Sequence, residues 1–568
     1  MPSLPMKKLG VVGVVTDVSP YDLPPNAFSD CNNVIFSDEK IQRAPVFKSL
    51  YRPVKSDLSY DASVSTYDSI TNPYESVGGT SVTLTRFIDS YQDASIGEVA
   101  IVCDTDGKVR AYPQGVFQDV TPTGTLISNT ESWTHAQVGG ISMLARKGMK
   151  PYVRNIITDI KYSYLAGDWV STHTADVVRP FLDYFIMLNV TKGATEYPTM
   201  VKWCNPVQYG TAVTNIQWDP SNPAFIAGEN VLSEAKTPIR DGGPMGNNFI
   251  IYTQDQVWLM EYTGSSLVFN FRRLFSTGGI INTNCWAEVE GKHFVFGEND
   301  IYVHDGNSKK SIADKRVRRR IFSTINRSKL DSFFVIHNSV SNLVYFCYQT
   351  TVDETNYLNT LHCNKAAVYN YKDDTWSFVD LPNCVGATEA NISLINSLYL
   401  SLNDSYELFN TSYVSFEGVT ERMPILLSIT DTPNGITETR IFAVDLPTSG
   451  ILNLPIEVET LKPAYAERIG IDLDDVGSSI RNYKLITTIL PQVTFADTGG
   501  VFTWEVGASD TPNGNATWYY SNLFYPDTDY KLDMKVAGRY LAYRLKTESP
   551  ENFYISGFEV QLREISRR

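Results

Sequence analysis

The chain has 568 residues, 12% of which are aromatic, and a formal net charge of −15. This length exceeds what one ordinary hydrophobic core serves, so the sequence predicts several domains or one large repeat fold. The negative charge argues against a protein that coats nucleic acid, because such binding depends on Lys and Arg neutralising phosphates. It allows transient contact with DNA, since a wall of like charge keeps the polymer from sticking.

The sequence carries no signal for a membrane or a secretory route. No apolar run approaches the ~20 residues that a membrane-spanning helix needs, and residues 1–8 lack the apolar core of a secretory signal. The seven cysteines are scattered and odd in number, which favours reduced core thiols over a disulfide framework. We therefore expect the chain to fold in a cytoplasm.

The first part of the chain, residues 1–55, contains short alternating stretches and turn-rich pieces. Strands of this kind can close a ring of sheets, so we predict that residues 1–55 close or brace a propeller. Residues 56–96 are rich in Ser, Thr, Asp and Tyr and poor in large aliphatic side chains, which predicts a polar insertion or long loop. Its role stays open at this point.

Residues 97–410 carry a recurring hairpin pattern. Apolar or aromatic residues alternate with polar ones on both sides of short Asp, Asn or Gly turns, which is typical of strands with one buried face. Clear examples are residues 99–112, 249–262, 293–304 and 366–381. Repetition at intervals of tens of residues predicts a β-propeller of six to eight blades.

The pattern changes in residues 411–568, where longer alternating strands lie between Asp-Thr-Pro-Asn-Gly turns. This change predicts a separate antiparallel β-sandwich or barrel-like domain. Helical periodicity is nearly absent, and the best helix candidate is short, over residues 314–322. The predicted fold class is therefore mainly β.

Four stretches in chain order point to a family. They begin with Asp22-Leu-Pro-Pro-Asn-Ala-Phe-Ser-Asp-Cys-Asn-Asn, His293-Phe-Val-Phe-Gly-Glu-Asn-Asp, Val368-Tyr-Asn-Tyr and Gly538-Arg-Tyr-Leu-Ala-Tyr-Arg. Together they resemble the tail nozzle proteins of short-tailed bacteriophages, also called the tail tubular protein B family. The resemblance runs from near residue 12 to near residue 562, and residues 56–91 have no counterpart in it.

The resemblance implies a structural role in the virion. A member of this family is expected to form a homohexameric tube below the tail adaptor protein, close to the tail fibre or tailspike, with a central channel through which double-stranded DNA leaves. It would be synthesised and folded in the cytoplasm of the host bacterium. Its loops would gate the channel, although the sequence does not identify which loops.

Motifs for catalysis or metal binding are missing from the sequence. The six histidines include no HExxH pair, and no cysteines have CxxC spacing, so no metal site is predicted. His362 and Cys363 are adjacent, but neighbouring strand residues face opposite sides and do not readily share a metal. Without a P-loop or GxSxG elbow, we predict no enzyme and no cofactor.

An alternative remains open, because propellers also host glycosidases, polysaccharide depolymerases and carbohydrate-binding sites. Three acidic pairs could supply the two carboxylates that glycoside hydrolysis requires: Asp373 with Asp374, Asp474 with Asp475, and Glu298 with Asp300. All three lie in turn-like contexts, where Asp commonly bonds the backbone. A structural role is therefore the favoured interpretation.

The most concentrated positive charge follows Lys309 and Lys310. It predicts a subunit interface, because a ring of acidic subunits needs contacts of opposite sign. A solvated helix face and a contact with DNA phosphates are the alternatives. The candidate interface residues, named the basic cluster below, are Lys315, Arg316, Arg318, Arg319 and Arg320.

Overall fold

The computed structural model describes residues 3–51, 85–112, 118–264, 267–351, 362–391, 422–431, 437–444, 463–473, 482–495, 500–512, 515–549 and 552–565. These residues form a mainly β protein, as predicted. Within the described ranges the one α-helix is α1, Arg318–Thr324, which overlaps the predicted 314–322. None of the helices in those ranges has the length and apolarity that crossing a membrane requires.

Seven short strands come first. They are β1 (Ser3–Lys7), β2 (Gly13–Val14), β3 (Ala27–Phe28), β4 (Asp30–Asn32), β5 (Val34–Ser37), β6 (Lys40–Arg43) and β7 (Phe47–Tyr51).

Five four-stranded antiparallel sheets then follow one another along the chain. Sheet I comprises β8 (Thr85–Asp93), β9 (Gly97–Asp104), β10 (Val109–Tyr112) and β11 (Gln118–Asp119). Sheet II comprises β12 (Trp133–Val138), β13 (Ile141–Arg146), β14 (Tyr152–Asn155) and β15 (Ser163–Tyr164). Sheet III comprises β16 (His173–Phe181), β17 (Tyr184–Lys192), β18 (Thr195–Trp203) and β19 (Gly228–Val231).

Sheet IV comprises β20 (Ile239–Met245), β21 (Asn248–Thr253), β22 (Val257–Tyr262) and β23 (Phe269–Phe275). Sheet V comprises β24 (Trp286–Val289), β25 (Lys292–Phe296), β26 (Ile301–His304) and β27 (Lys309–Ser311). Sheet VI has seven strands, namely β28 (Phe334–Asn338), β29 (Leu343–Tyr348), β30 (Cys363–Asn370), β31 (Thr375–Asn391), β32 (Arg422–Asp431), β33 (Thr437–Val444) and the N-terminal β7.

The predicted hairpins are confirmed. The pairs β9–β10, β21–β22, β25–β26 and β30–β31 are antiparallel and lie where the alternation placed them. In the β25–β26 turn, the Gly297 N–H donates to the Asp300 carbonyl at 2.9 Å. The hairpins form because alternation buries one face while Asp, Asn and Gly close the turns.

The first strands of successive sheets converge. Strand β8 packs against β12, β12 against β16, β16 against β20, and β24 against β28. Strand β31 returns to pack against β8. Hydrophobic clusters fill the spaces between neighbouring sheets, for example the cluster around Met143 and Phe185 between sheets II and III. This arrangement is compatible with a propeller.

Seven strands end the chain: β34 (Ala464–Ile471), β35 (Tyr483–Phe495), β36 (Phe502–Ser509), β37 (Thr517–Phe524), β38 (Leu532–Gly538), β39 (Tyr540–Thr547) and β40 (Phe553–Ile565). They build two sheets with N-terminal strands. The six-stranded sheet runs β38-β35-β40-β6-β5 with β1 also on β40, and the five-stranded sheet runs β37-β36-β39-β34-β4. Phe558 of the first sheet packs edge-on against Trp504 of the second, with ring centroids 5.3 Å apart.

Two predicted boundaries differ from the structure. Strand β8 lies within the predicted loop 56–96 and pairs with β9, because Phe87, Ile88 and Tyr91 are buried despite the polar residues around them. Strands β32 and β33 lie beyond residue 410, yet they extend sheet VI, since the 17-residue β31 continues past its pairing with β30 to pair with β32. Residues 52–84 and the predicted blade material at 392–410 lie outside the described residues.

Residues 1–55, predicted to close or brace a propeller, contact sheet VI and also pair with the C-terminal strands. Strands β2, β4 and β5 pack against β31. Strands β1 and β6 pair with β40, and β4 pairs with β34. Only β7, of the strands described in that range, joins sheet VI, through β33. The N-terminal segment therefore contributes mainly to the C-terminal sheets, because their edges offer free backbone groups that a returning strand can satisfy.

Candidate functional sites

A cavity of about 370 Å³ lies where β8, β24, β28 and the second half of β31 approach one another. Its wall is mixed in chemistry. Its polar lining includes the side chains of Asp89, Arg179, Asn284, Glu288, His337 and Glu389. A concave, partly polar site among converging strands is the default place for ligand binding or catalysis.

One wall of the cavity holds a buried ion pair. Arg179 on β16 donates from Nε to Oδ1 of Asp241 at 2.9 Å and from Nη2 to Oδ2 at 2.8 Å. The Asp241 side chain on β20 is fully buried, and its Oδ2 also accepts from the Asn284 N–H at 2.8 Å and from Trp286 Nε1 at 3.0 Å. A bidentate pair with these extra donors holds sheets III, IV and V in one geometry.

Asn284 extends this network to sheet II. Its Oδ1 accepts from Arg179 Nη2 at 2.6 Å, and its Nδ2 donates to Ser132 Oγ and to the Trp133 carbonyl, both at 3.1 Å. Asn284 has a φ of +63°, a backbone region that Asn tolerates better than most residues. One amide side chain therefore connects sheets II and III.

The opposite wall is organised by Asp89 on β8. Its Oδ2 lies 3.0 Å from His135 Nδ1, and its Oδ1 accepts from Thr388 Oγ1 at 3.0 Å. Burial opposes ionisation of this carboxyl, but hydrogen bonds from His135, Ser90 and Thr388 outweigh it and lower the pKa of Asp89. Asp89 thus stays ionised and links sheets I, II and VI.

Two further carboxyl groups lie at the cavity. Glu389 Oε1 accepts from the Ser339 N–H at 3.1 Å and lies 3.6 Å from His337 Nδ1, and burial lowers the pKa of His337. Burial raises the pKa of Glu288. The cavity therefore combines carboxyl groups engaged by neighbouring strands with one, Glu288, that ionises less readily than usual.

Two of the predicted acidic pairs, Asp373 with Asp374 and Glu298 with Asp300, lie away from this cavity. Asp373 accepts from Asn370 Nδ2 at 2.9 Å and from the Asp38 N–H at 3.2 Å, and Asp374 accepts from the Tyr369 hydroxyl at 2.7 Å. Asp300 accepts from Ser311 Oγ at 2.8 Å. Most of these contacts lie within one hairpin and are the structural bonding that turn positions favour, and the Asp38 contact ties the turn at Asp373 to the N-terminal strands. The third pair, Asp474 and Asp475, lies outside the described residues.

The residues considered for a metal do not converge. His362 Nε2 lies 3.4 Å from Gln349 Nε2, and the Cys363 thiol donates to the Ser332 carbonyl at 3.1 Å. Across the part of the chain that the structure describes, no three His, Cys, Asp or Glu side chains are grouped so that they could hold a metal ion.

Most of the basic cluster binds acidic or carbonyl groups of its own chain. Arg316 Nη2 lies 2.9 Å from Asp374 Oδ2, and Arg318 Nε donates to the Asn299 carbonyl at 2.9 Å. Arg320 pairs with Asp30 of β4 and lies over the Phe378 ring, 4.3 Å from its centroid. These three arginines hold α1 and the residues just before it against β4 and against two turns of the same chain.

The other two members of the basic cluster have exposed side chains. Lys315 has a φ of +59° and is exposed. Arg319 uses its backbone N–H, which donates to Asp17 Oδ2 at 2.8 Å, while its side chain is exposed. The structure therefore divides the predicted interface set into Arg316, Arg318 and Arg320, which bind groups of their own chain, and two side chains that are exposed, Lys315 and Arg319.

A buried group that the sequence did not predict joins sheets IV and V. The Tyr252 hydroxyl lies 2.8 Å from His293 Nδ1 and 2.6 Å from His304 Nε2. His293 Nε2 lies 2.8 Å from the Pro244 carbonyl, and the Gly306 N–H donates to His304 Nδ1 at 3.3 Å. No spacing motif could have revealed this group, because its members lie on three different strands.

Comparison with known proteins adds little. No protein-family model matches the chain, and no curated protein matches it. The solved structures that are similar in part include apo AztD from Citrobacter koseri, at 10% identity and a TM-score of 0.32 over 53% of this chain and 76% of that one. They also include a second AztD structure from the same organism, at 10% identity and a TM-score of 0.32 over 51% of this chain and 72% of that one. At these scores the likeness supports no conclusion about function.

Proposed function

We propose that the chain is a structural subunit of a short bacteriophage tail. In this proposal six copies form a nozzle below the tail adaptor protein, beside the tail fibre or tailspike, and double-stranded DNA passes through the channel between them. The proposal starts from the family resemblance of residues 22–45, 293–306, 368–377 and 538–560.

One observation carries the proposal beyond the resemblance. Strands from both ends of the chain share the C-terminal sheets, with β1 and β6 on β40 and β4 on β34. Pulling such a sheet apart requires breaking many backbone hydrogen bonds at once. That resistance suits a conduit that must hold its shape while a stiff polymer passes through it.

The finer architecture is part of this proposal. We infer a six-bladed propeller made of sheets I to V and strands β28–β31 of sheet VI, within the six to eight blades predicted. The links from Asn284 to sheets II and III, and from Asp89 to sheets II and VI, support a ring whose blades are fastened near its centre. Such a platform suits docking better than turnover.

The experiment is to purify the chain, measure its native mass, and image it by negative stain alone and together with the tail adaptor of the phage that encodes it. A ring of six copies around an open channel is the expected result. A chain that stays monomeric with its adaptor, and that antibodies fail to locate on virions, contradicts the proposal.

One observation favours a second candidate, a hydrolase acting on surface polysaccharide. Glycoside hydrolysis requires two carboxyl groups across a sugar-sized cleft, and the cavity is lined by several, of which Glu288, whose pKa is raised, would be the acid. The second carboxylate would be Asp89 or Glu389. Release of oligosaccharides from host surface polymer by the wild-type chain, lost in Glu288→Gln and kept in Glu298→Gln, would establish this candidate instead.

A further inference from the structure

The two edges of the five-stranded C-terminal sheet differ in chemistry. Strand β37 lies at one edge and β4 at the other. Helix α1 lies beside β4, because Arg320 pairs with Asp30 of that strand. Four inter-strand spacings separate the edges by about 19 Å. The basic cluster and β37 therefore lie on opposite sides of one sheet.

The β37 edge exposes an unusual number of aromatic side chains. Within residues 519–530, the exposed fractions are 57% for Tyr519, 55% for Leu523, 44% for Tyr525 and 74% for Tyr530. Single exposed apolar residues are ordinary, but a contiguous group of them marks an interaction surface. Strand β37 also pairs on one side only, with β36, among the described strands, so its other edge can receive a partner.

The charges at the two edges are complementary. Asp527 and Asp529 place two negative charges in the loop between β37 and β38, among the exposed tyrosines. Asp529 Oδ2 accepts from the Tyr525 N–H at 3.0 Å, and the nearby Lys531 pairs with Asp533 at 2.7 Å. At the other edge, Lys315 and Arg319 are exposed, whereas Arg316, Arg318 and Arg320 bind groups of their own chain. Arginine both stacks on tyrosine rings and pairs with carboxylates, so the two surfaces suit each other.

We propose that the tyrosine patch of one copy, residues 519–530, docks onto Lys315 and Arg319 of the next copy. A contact between two different surfaces of identical chains is heterologous, and it closes into a ring when the rotation between copies permits. The proposal rests on the proposed function for the ring itself. It adds the two contacting surfaces and the head-to-tail direction of assembly.

The first experiment maps the contact in the full-length chain. A photo-crosslinking benzoylphenylalanine replaces Tyr530, and isotopically heavy and light copies are mixed before irradiation. We expect heavy–light cross-links between position 530 and peptides within residues 309–320. The matched control places the same group at Tyr209, which is 68% exposed on the connection between β18 and β19 of sheet III, and we expect no cross-link there to residues 309–320.

The second experiment reverses charge. We expect Arg319→Glu to weaken association at least about tenfold, and Asp527→Lys in the same chain to restore part of it. The matched control, Lys292→Glu, changes the net charge equally at an exposed position on β25 and should leave association unchanged. Unaltered circular dichroism for each variant excludes misfolding as the cause.

The outcomes separate this inference from the proposed function. Rings whose cross-links from position 530 reach other segments overturn the inference and leave the nozzle proposal intact. The expected cross-links in open filaments or dimers support the contact and contradict the closed ring. A chain that stays monomeric up to about 1 mM, with no heavy–light cross-link, overturns the inference.

Discussion

The hydroxyl of Tyr252 lies 2.8 Å from Nδ1 of His293 inside the contact between sheets IV and V. The proton positions follow from the neighbours. His293 Nε2 must donate to the Pro244 carbonyl, so its Nδ1 accepts from Tyr252. His304 Nδ1 accepts from the Gly306 N–H, so its Nε2 donates to Tyr252. The result is a one-directional chain of four hydrogen bonds in which every donor has an acceptor.

Replacing Tyr252 with Phe should destabilise the protein by about 1–3 kcal/mol, because a buried donor on His304 and a buried acceptor on His293 lose their partner. Urea unfolding followed by fluorescence measures the change. Tyr519→Phe, at an exposed position, is the control and should stay within about 0.5 kcal/mol of wild type. Equal unfolding midpoints for Tyr252→Phe and wild type would contradict the hydrogen-bond chain.

Acid should destabilise the protein through the same two histidines. Burial lowers the pKa of His293 to about 4 and that of His304 to about 3, while an unfolded histidine titrates near 6.5. Between those values the unfolded chain binds more protons, so stability is complete above about pH 6.5 and falls as the pH drops towards the folded pKa values. Each histidine lowers the free energy of unfolding by up to about 1.4 kcal/mol for each pH unit in that range.

This pH dependence is measured by urea unfolding between pH 7.5 and pH 4. In His304→Gln, the free energy of unfolding should depend less steeply on pH below about pH 6.5, because one of the two buried histidines no longer titrates. His173, which is only half-buried, offers the comparison variant His173→Gln, whose slope should stay closer to wild type. A slope that is the same in all three proteins would show that other groups cause the acid sensitivity.

Breaking the ion pair of Arg179 and Asp241 should be costly. Asp241→Asn leaves the guanidinium, whose side chain is 14% exposed, without its counter-charge, and we expect a loss of about 3–5 kcal/mol. Glu39→Gln breaks the surface pair with Lys8, whose side chains are 54% and 63% exposed, and should cost under about 1 kcal/mol. Thermal and urea unfolding measure the loss of stability in Asp241→Asn and in Glu39→Gln. Losses of similar size would contradict a central role for the buried pair.

Removing residues 1–8 should loosen strand β40. Deletion frees the edge that β1 covers from Gly557 to Gln561, so the β40 amides bonded to β1 should exchange hydrogen about tenfold faster or more. Amides of sheet II, remote from that edge, serve as the internal control and should keep their protection. Deletion of residues 1–2 alone should leave β40 unchanged, and unaltered exchange in the longer deletion would contradict the pairing.

Local features of the fold could be predicted from the sequence. Alternation and tight turns place both strands of a hairpin within a few residues, so β25–β26 and β30–β31 were predictable. The pairing of Ser3 with Gln561 was not, since nothing in either segment specifies a partner at the other end of the chain. Strand β8 was not predicted from the sequence, because polar residues surround its buried Phe87 and Tyr91.

The basic cluster shows the same limit for the candidate sites. Its charge was visible, but Asp30 and Asp374, which neutralise Arg320 and Arg316, are distant in sequence. A run of basic residues shows how many cations are present. It does not show which of them form ion pairs within the folded chain. The cavity was unpredictable for a related reason, since its wall gathers short runs of residues from several sheets that are distant in sequence.

The pairing of β1 with β40 also sets an order of events during synthesis. The ribosome makes β1, β4 and β6 long before their partners β34 and β40, whereas each of sheets I to V is complete once its own short segment has emerged. The nascent chain therefore carries unpaired strand edges until translation is nearly finished. Chaperone dependence and aggregation of prematurely terminated chains should consequently concentrate at the N-terminal strands.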